Sequence, residues 1–301
     1  MKRIFITLTL VAAFALSASA QKSITNVKCN ADQVVQWWNN KKAPHSNEET
    51  KDENRNKAGH FYNTSQTEFY IYKADKAKAT GQAVVVLPGG GYGAVCIERE
   101  GFKLGEYFKS IGITAVVVKY RLPNDGHKVV PLEDAQAALR YTRKNAKKWG
   151  VDPTKVGIAG SSAGGHLAAY TSNFTPDTEK PAFSILFYPV INGETCMTHV
   201  NTFRRLLGKN HSAAEREYYS LDHRVSATTP PTILLLSSDD RGVPPINSIL
   251  YYKALKHHGV KAAMHIYPEG GHGWVYREEF RYHKDWQHQV KRWLEWLNTS
   301  K

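Results

Sequence analysis

The pattern of apolar and polar positions divides the chain into three stretches. The first opens on Met1-Lys2-Arg3, continues as a largely apolar run from Ile4 to Leu16, and ends on the small residues Ala18-Ser19-Ala20. A basic start, a short apolar run and a small-x-small ending follow one another as in an export signal, so residues 1–20 are expected to be removed and the mature chain to begin at Gln21. The run falls short of the ~20 apolar residues a membrane span needs, no later run approaches that length, and no membrane insertion is expected. The second stretch, residues 21–67, is mostly polar and carries a mixed-charge run from Glu48 to Lys57. It is expected to be a surface extension, partly loop. From residue 68 to 301 the chain alternates between two periodicities.

Glu68 to Tyr72 alternates in the manner of a strand, with aromatics at 69, 70 and 72. Short apolar, β-branched runs follow at Ala83–Leu87, Ala115–Val118, Val156–Ala159, Phe183–Phe187, Thr232–Leu236 and Ala263–Tyr267. Continuous apolar runs of this length suit parallel strands covered on both faces. Between them lie helical spacings. Leu132, Ala135, Leu139, Thr142 and Ala146 form one apolar stripe, and Trp286, Val290, Trp293, Leu294 and Leu297 form another. Strands alternating with helices predict a three-layer α/β fold with a mostly parallel central sheet. The interval from Pro189 to Pro231 is long for a crossover, and Ser212-Ala-Ala-Glu215 inside it is a capping-box pattern. A small insertion of short helices is expected there.

Composition adds little. With 42% hydrophobic and 22% charged residues the chain is an ordinary globular one. The formal charge of +13 comes from scattered lysines and no nucleic-acid motif accompanies it, so a solvated basic surface is the expectation rather than a nucleic-acid partner. Cys29, Cys96 and Cys196 have no metal-type spacing, which leaves room for at most one disulfide. None of the 13 histidines pairs as a metal site, and no cofactor motif occurs, so neither metal nor cofactor is expected.

The chemistry is concentrated in four places, each just past a predicted strand. Gly160-Ser161-Ser162-Ala163-Gly164 is G-x-S-x-G between an apolar strand and a helix-forming run. A serine on so sharp a turn needs tiny residues two places to either side, and the turn aims the Ala163 N–H at a charge developing over the serine. Alone, the pentapeptide also fits a turn that holds phosphate. Leu87-Pro88-Gly89-Gly90-Gly91-Tyr92 follows the first buried strand, where Gly90 and Gly91 can offer N–H donors to an oxyanion. Ser237-Ser238-Asp239-Asp240 supplies two competing acids, of which Asp240, three residues before Val243-Pro244, is favoured. Glu269-Gly270-Gly271-His272-Gly273-Trp274 places one histidine in a glycine-rich loop. Ser162, Asp240 and His272 stand in the chain order of α/β-hydrolase triads, at the carboxyl edge of the sheet where open α/β folds carry their sites. Tyr92 and Trp274 flank two of these loops and are candidate platforms for a sugar ring.

From about Phe69 to Trp296 the chain is similar to the bacterial acetyl-xylan-esterase-like branch of the α/β hydrolases. The stretches that carry the resemblance include LPGGGYG at 87–93, KYRLP at 119–123, PLEDAQAALRYTR at 131–143 and GSSAGGHLAAY at 160–170. LFYPV at 186–190, DDRGVPPINS at 239–248 and YPEGGHGW at 267–274 continue it. Pro88 stands where related esterases usually carry histidine before their glycines, a departure that leaves the N–H donors in place. The resemblance implies a serine esterase acting on short-acyl esters, with acetyl groups of xylan or related saccharides as the substrate class. It also implies a broad short-chain carboxylesterase as the alternative. A serine peptidase is the less expected reading, because peptidases that share this catalytic domain add a large propeller, which is not expected within these 301 residues.

Overall fold

The computed structural model describes residues 29–299; the expected signal at 1–20 lies outside the described residues. Among the described residues, ten strands and seven α-helices follow one another. The strands are β1 (Gln33–Asn39), β2 (Asn54–Arg55), β3 (Phe61–Tyr62), β4 (Gln66–Tyr72), β5 (Ala83–Leu87), β6 (Thr114–Lys119), β7 (Val156–Ser161), β8 (Ser184–Phe187), β9 (Thr232–Ser237) and β10 (Ala262–Tyr267). The helices are α1 (Lys103–Ser110), α2 (Val129–Trp149), α3 (Ala163–Phe174), α4 (Val200–Leu207), α5 (Ala213–Tyr218), α6 (Ile246–His257) and α7 (His283–Thr299). Eight strands make one sheet in the order β1-β4-β6-β5-β7-β8-β9-β10. From β6 to β10 every pairing is parallel, while β4 runs antiparallel to both β1 and β6.

The apolar runs fall where their composition demands. All five residues of β5 and all six of β7 are buried, because helices cover both faces of the sheet centre. α2 packs on β5, β6 and β7, α3 on β7 and β8, and α6 on β9 and β10. The predicted stripes are realised: Ala135, Leu139, Thr142 and Ala146 are buried on α2, and Trp286, Val290, Trp293 and Leu294 on α7. β10 departs from expectation. It is the sheet's edge, so most of it is only half-buried and Ile266 is 42% exposed.

The N-terminal extension is more than a surface loop. Its strand β1 pairs with β4 and covers it, so that even Glu68 is buried. Burial of a lone carboxylate is costly. Glu68 is therefore met by Lys119 Nζ at 3.3 Å and accepts the Tyr70 hydroxyl at 2.6 Å, with Glu53 of the extension on the other side of the same ammonium. A second buried pair ties the extension to α2. Arg121 bonds Asp134 at 2.8 Å and donates to the His45 carbonyl at 2.6 Å, and Asp134 also accepts the Trp38 indole N–H at 2.6 Å.

The interval between β8 and β9 holds α4, α5 and a 3-10 turn at Leu221–Arg224. Ser212 and Glu215 form the capping box: Ser212 Oγ accepts the Glu215 N–H at 3.1 Å and Glu215 Oε2 accepts the Ser212 N–H at 3.1 Å. Among the described residues no helix is long and apolar enough to cross a membrane. Cys29, Cys96 and Cys196 are free thiols.

Candidate active site

The strand β7 ends in a turn whose backbone explains its sequence. Ser162 sits at φ 54° and ψ −122°, a conformation L side chains rarely adopt. Three hydrogen bonds hold it there: its N–H donates to Phe187 O at 2.9 Å, and its carbonyl accepts the N–H groups of His166 at 3.0 Å and Val190 at 3.1 Å. The flanking glycines are required by close approach. A Cβ on Gly160 would stand 2.1 Å from the Gly164 carbonyl oxygen, and one on Gly164 would stand 2.1 Å from that of Leu87. The start of α3 is thus pressed against both β7 and the end of β5.

Ser162 Oγ lies 2.8 Å from His272 Nε2, and His272 Nδ1 lies 2.7 Å from Asp240 Oδ2. The three groups come from loops after β7, β9 and β10, so the parallel sheet aligns them at one edge. The Asp240 side chain is buried, and its second oxygen, Oδ1, accepts the N–H groups of Gly242 at 2.8 Å and Val243 at 2.9 Å. A carboxylate fully supplied with donors accepts the proton of His272 Nδ1, which leaves Nε2 free to receive the Ser162 proton. Asp239 faces elsewhere. It accepts the N–H groups of Gly271 at 2.8 Å and Gly270 at 3.3 Å, bracing the loop before His272.

The Ala163 N–H opens α3 and is among the first four without an intrahelical acceptor, at the positive end of the helix dipole. Gly90, at φ 131°, and Gly91, at φ 59°, form the facing loop. A Cβ on Gly90 would meet the Ala94 carbonyl at 2.1 Å, so the tight loop excludes a side chain there. These N–H groups belong to the two loops that flank Ser162.

The insertion brings two residues to the glycine loop, of which His199 was not singled out in the sequence. Arg205, on α4, donates to the Gly91 carbonyl at 3.0 Å. His199, the N-cap of α4, lies beside Gly91 with its Nδ1 2.8 Å from Thr202 Oγ1. Burial, then the nearby charges of His272 and Arg205, hold the His199 pKa below its ordinary value. Nothing in the local sequence marks one histidine among 13 as the one that packs over the glycine loop.

Tyr92 and Trp274 are not platforms for a ligand. Tyr92 has φ 55° and is 2% exposed, its ring turned inward against Tyr120. Trp274 is fully buried, stacked on Phe280 at 4.6 Å with its edge toward Tyr188. Each flanks a functional loop in sequence, yet each side chain is part of the core beneath it. Tyr92 has a further role there. Its hydroxyl lies 3.1 Å from Nδ1 of the buried His166, whose Nε2 donates to the Tyr219 carbonyl at 3.3 Å.

Burial lowers the His166 pKa to about 4. An unfolded histidine takes up a proton near pH 6.5, so the folded state binds fewer protons in the interval and loses stability as pH falls from about 6.5 toward 4. The site contributes up to roughly 3 kcal/mol to that acid-side loss. His166→Asn is expected to flatten the fall of Tm across this window. An unchanged slope would mean that other groups set the acid limb.

Residues 84–276 match a family model described as the alpha/beta hydrolase fold. The chain belongs to the α/β-hydrolase family, and within it to the acetyl-xylan-esterase-like branch. It is 37% identical over 226 residues to an acetylxylan esterase of Xylanibacter ruminicola, covering 74% of this chain and 47% of that protein. To endo-1,4-beta-xylanase B of Butyrivibrio fibrisolvens it is 35% identical over 219 residues, covering 68% of this chain and 34% of that one. The chain thus spans half or less of the length of these curated relatives. The crystal structure of an acetyl ester-xyloside bifunctional hydrolase from Caldicellulosiruptor lactoaceticus superposes with a TM-score of 0.71 at 31% identity, covering 89% of this chain and 97% of that one.

Proposed function

We propose that the protein is an exported serine esterase that removes short acyl groups, acetyl foremost, from xylan or related acetylated saccharides. The observation that carries this reading is the unbroken hydrogen-bond chain Ser162–His272–Asp240 on a strained strand-to-helix turn. His272 Nε2 takes the Ser162 proton as Oγ attacks the ester carbonyl, and Asp240 holds the imidazole in the right tautomer and stabilises its cation. The Ala163 N–H, with that of Gly90 or Gly91, receives the oxyanion. His272 then protonates the departing sugar oxygen, which leaves as the free hydroxyl, and water activated by His272 hydrolyses the acyl-enzyme. Similarity to an acetylxylan esterase and to an acetyl ester-xyloside hydrolase supports the substrate class. Removal of residues 1–20, read from the mass of the exported chain, tests the export signal.

Acetate release from acetylated xylan, set beside turnover of an aryl acetate, tests the saccharide assignment. Aryl ester turnover with no release from the polymer or its oligosaccharides would make the protein a broad short-chain carboxylesterase. Acyl length gives an independent check. The polar side chains of Arg205 and His199 pack on the glycine loop beside Ser162 and, in this reading, wall a short acyl pocket. Each buried methylene contributes about 0.8 kcal/mol where there is room for it. Without such room, kcat/KM on soluble aryl esters is expected to fall from acetate through butyrate to octanoate. A rise through octanoate would place the protein with lipases.

A further inference from the structure

Glu100 lies in a single π-helical turn, Ile97–Phe102, that runs into α1. Such turns are rare and recur at functional sites. The residue is buried, and among the described residues no cation pairs with it. A buried carboxylate so placed is costly unless its hydrogen bonds are met, and here they are met by the site. Oε2 accepts the Gly89 N–H at 2.7 Å and the Ser161 hydroxyl at 2.8 Å, while Oε1 accepts the Tyr188 hydroxyl at 3.2 Å.

Each of these three donors belongs to a different part of the site. Gly89 opens the glycine loop just before Gly90, and a Cβ there would stand 2.5 Å from Glu100 Oε2, so loop and carboxylate are packed without slack. Ser161 immediately precedes Ser162. Tyr188, held at φ 36°, lays its ring 4.8 Å from that of His272, and its hydroxyl also receives the Val275 N–H at 3.4 Å. One carboxylate therefore touches the oxyanion loop and the nucleophile turn directly, and reaches the histidine loop through one tyrosine.

We infer that Glu100 is a positioning residue that sets the distance between the glycine-loop N–H donors, Ser162 and His272. The inference rests on the serine-esterase reading above. Glu100 touches no reacting atom; it acts through Gly89, Ser161 and Tyr188. Misplacement of about 1 Å at such a site lowers turnover roughly 100-fold. Glu100→Ala is therefore expected to lower kcat on an aryl acetate by about that factor, with KM within about twofold of wild type. The affinity of a boronic-acid transition-state analogue, which needs serine and oxyanion donors in register, should fall in step with kcat. Glu100→Gln keeps one oxygen for Gly89 and Ser161 but turns its NH2 toward Tyr188, whose own hydroxyl proton then lacks an acceptor. It should recover part of the loss and lie roughly tenfold below wild type.

The measurements are kcat, KM, boronate affinity and Tm on the purified chain for wild type and both variants. A residue that only stabilises the fold would lower Tm while leaving kcat and boronate affinity of the folded enzyme unchanged, and that result overturns the inference. If Glu100→Ala does not fold, Glu100→Gln decides: wild-type kcat and boronate affinity in that variant overturn the inference equally. A Ser162→Ala control separates the two readings. Activity surviving in it would refute the serine mechanism, whereas an inactive control beside fully active Glu100 variants would refute only the role of Glu100.

Discussion

Ser162→Ala is expected to lower kcat for ester hydrolysis by roughly five to six orders of magnitude, because the nucleophile and its base act as a unit. Without Oγ there is no acyl-enzyme, and His272 Nε2, 2.8 Å away in the native site, has no proton to take from it. What survives is the contribution of oxyanion donors and substrate binding, which leaves a small residual rate over water. Ser162 is almost wholly buried in the native structure and the change only removes an oxygen, so the fold should be retained. Steady-state assays on an aryl acetate, with Tm measured alongside, check this. Activity within a hundredfold of wild type, after contaminating esterases are excluded, would contradict the role assigned to Ser162.

The second large effect separates two adjacent acids. Asp240→Asn is expected to lower kcat by about 10⁴-fold. The new amide would keep its oxygen toward the N–H groups of Gly242 and Val243, which Oδ1 of the native residue accepts at 2.8 and 2.9 Å. Its NH2 would then face His272 Nδ1, forcing that nitrogen to accept and moving the ring proton to Nε2. In that tautomer the imidazole cannot take the Ser162 proton. Asp239→Asn should cost less than about tenfold, since it only exchanges an acceptor for the Gly270 and Gly271 N–H groups in an exposed loop. The opposite ranking of the two variants would contradict the assignment.

The features legible in the sequence are those that depend on local sterics or on burial from both faces. Gly160 and Gly164 are required by contacts within a few residues of Ser162 and with the adjacent strand end, so the pentapeptide carries its own geometry. The runs at Ala83–Leu87 and Val156–Ala159 are apolar throughout because helices cover them on both sides. β1 was hidden for the converse reason. Gln33–Asn39 pairs with β4 at the edge of the sheet formed by the described residues, partly exposed, inside a polar stretch. Tyr92 and Trp274 show a different limit. A motif names the loop beside a site, but the direction of a ring depends on backbone angles and distant neighbours, here φ 55° at Tyr92 and Phe280 beneath Trp274. Glu100 was invisible for the same reason, since its donors Ser161 and Tyr188 are 61 and 88 residues away along the chain.

Covalent labelling by a fluorophosphonate probe, with the modified residue identified by peptide mass spectrometry, tests the central claim most directly. The probe phosphonylates a serine activated by a neighbouring imidazole, and loss of esterase activity should track its incorporation. The account predicts a stoichiometric adduct on Ser162 and complete loss of activity with it. An adduct on a different residue that accounts for the lost activity, or full turnover by a chain stoichiometrically modified at Ser162, would contradict it.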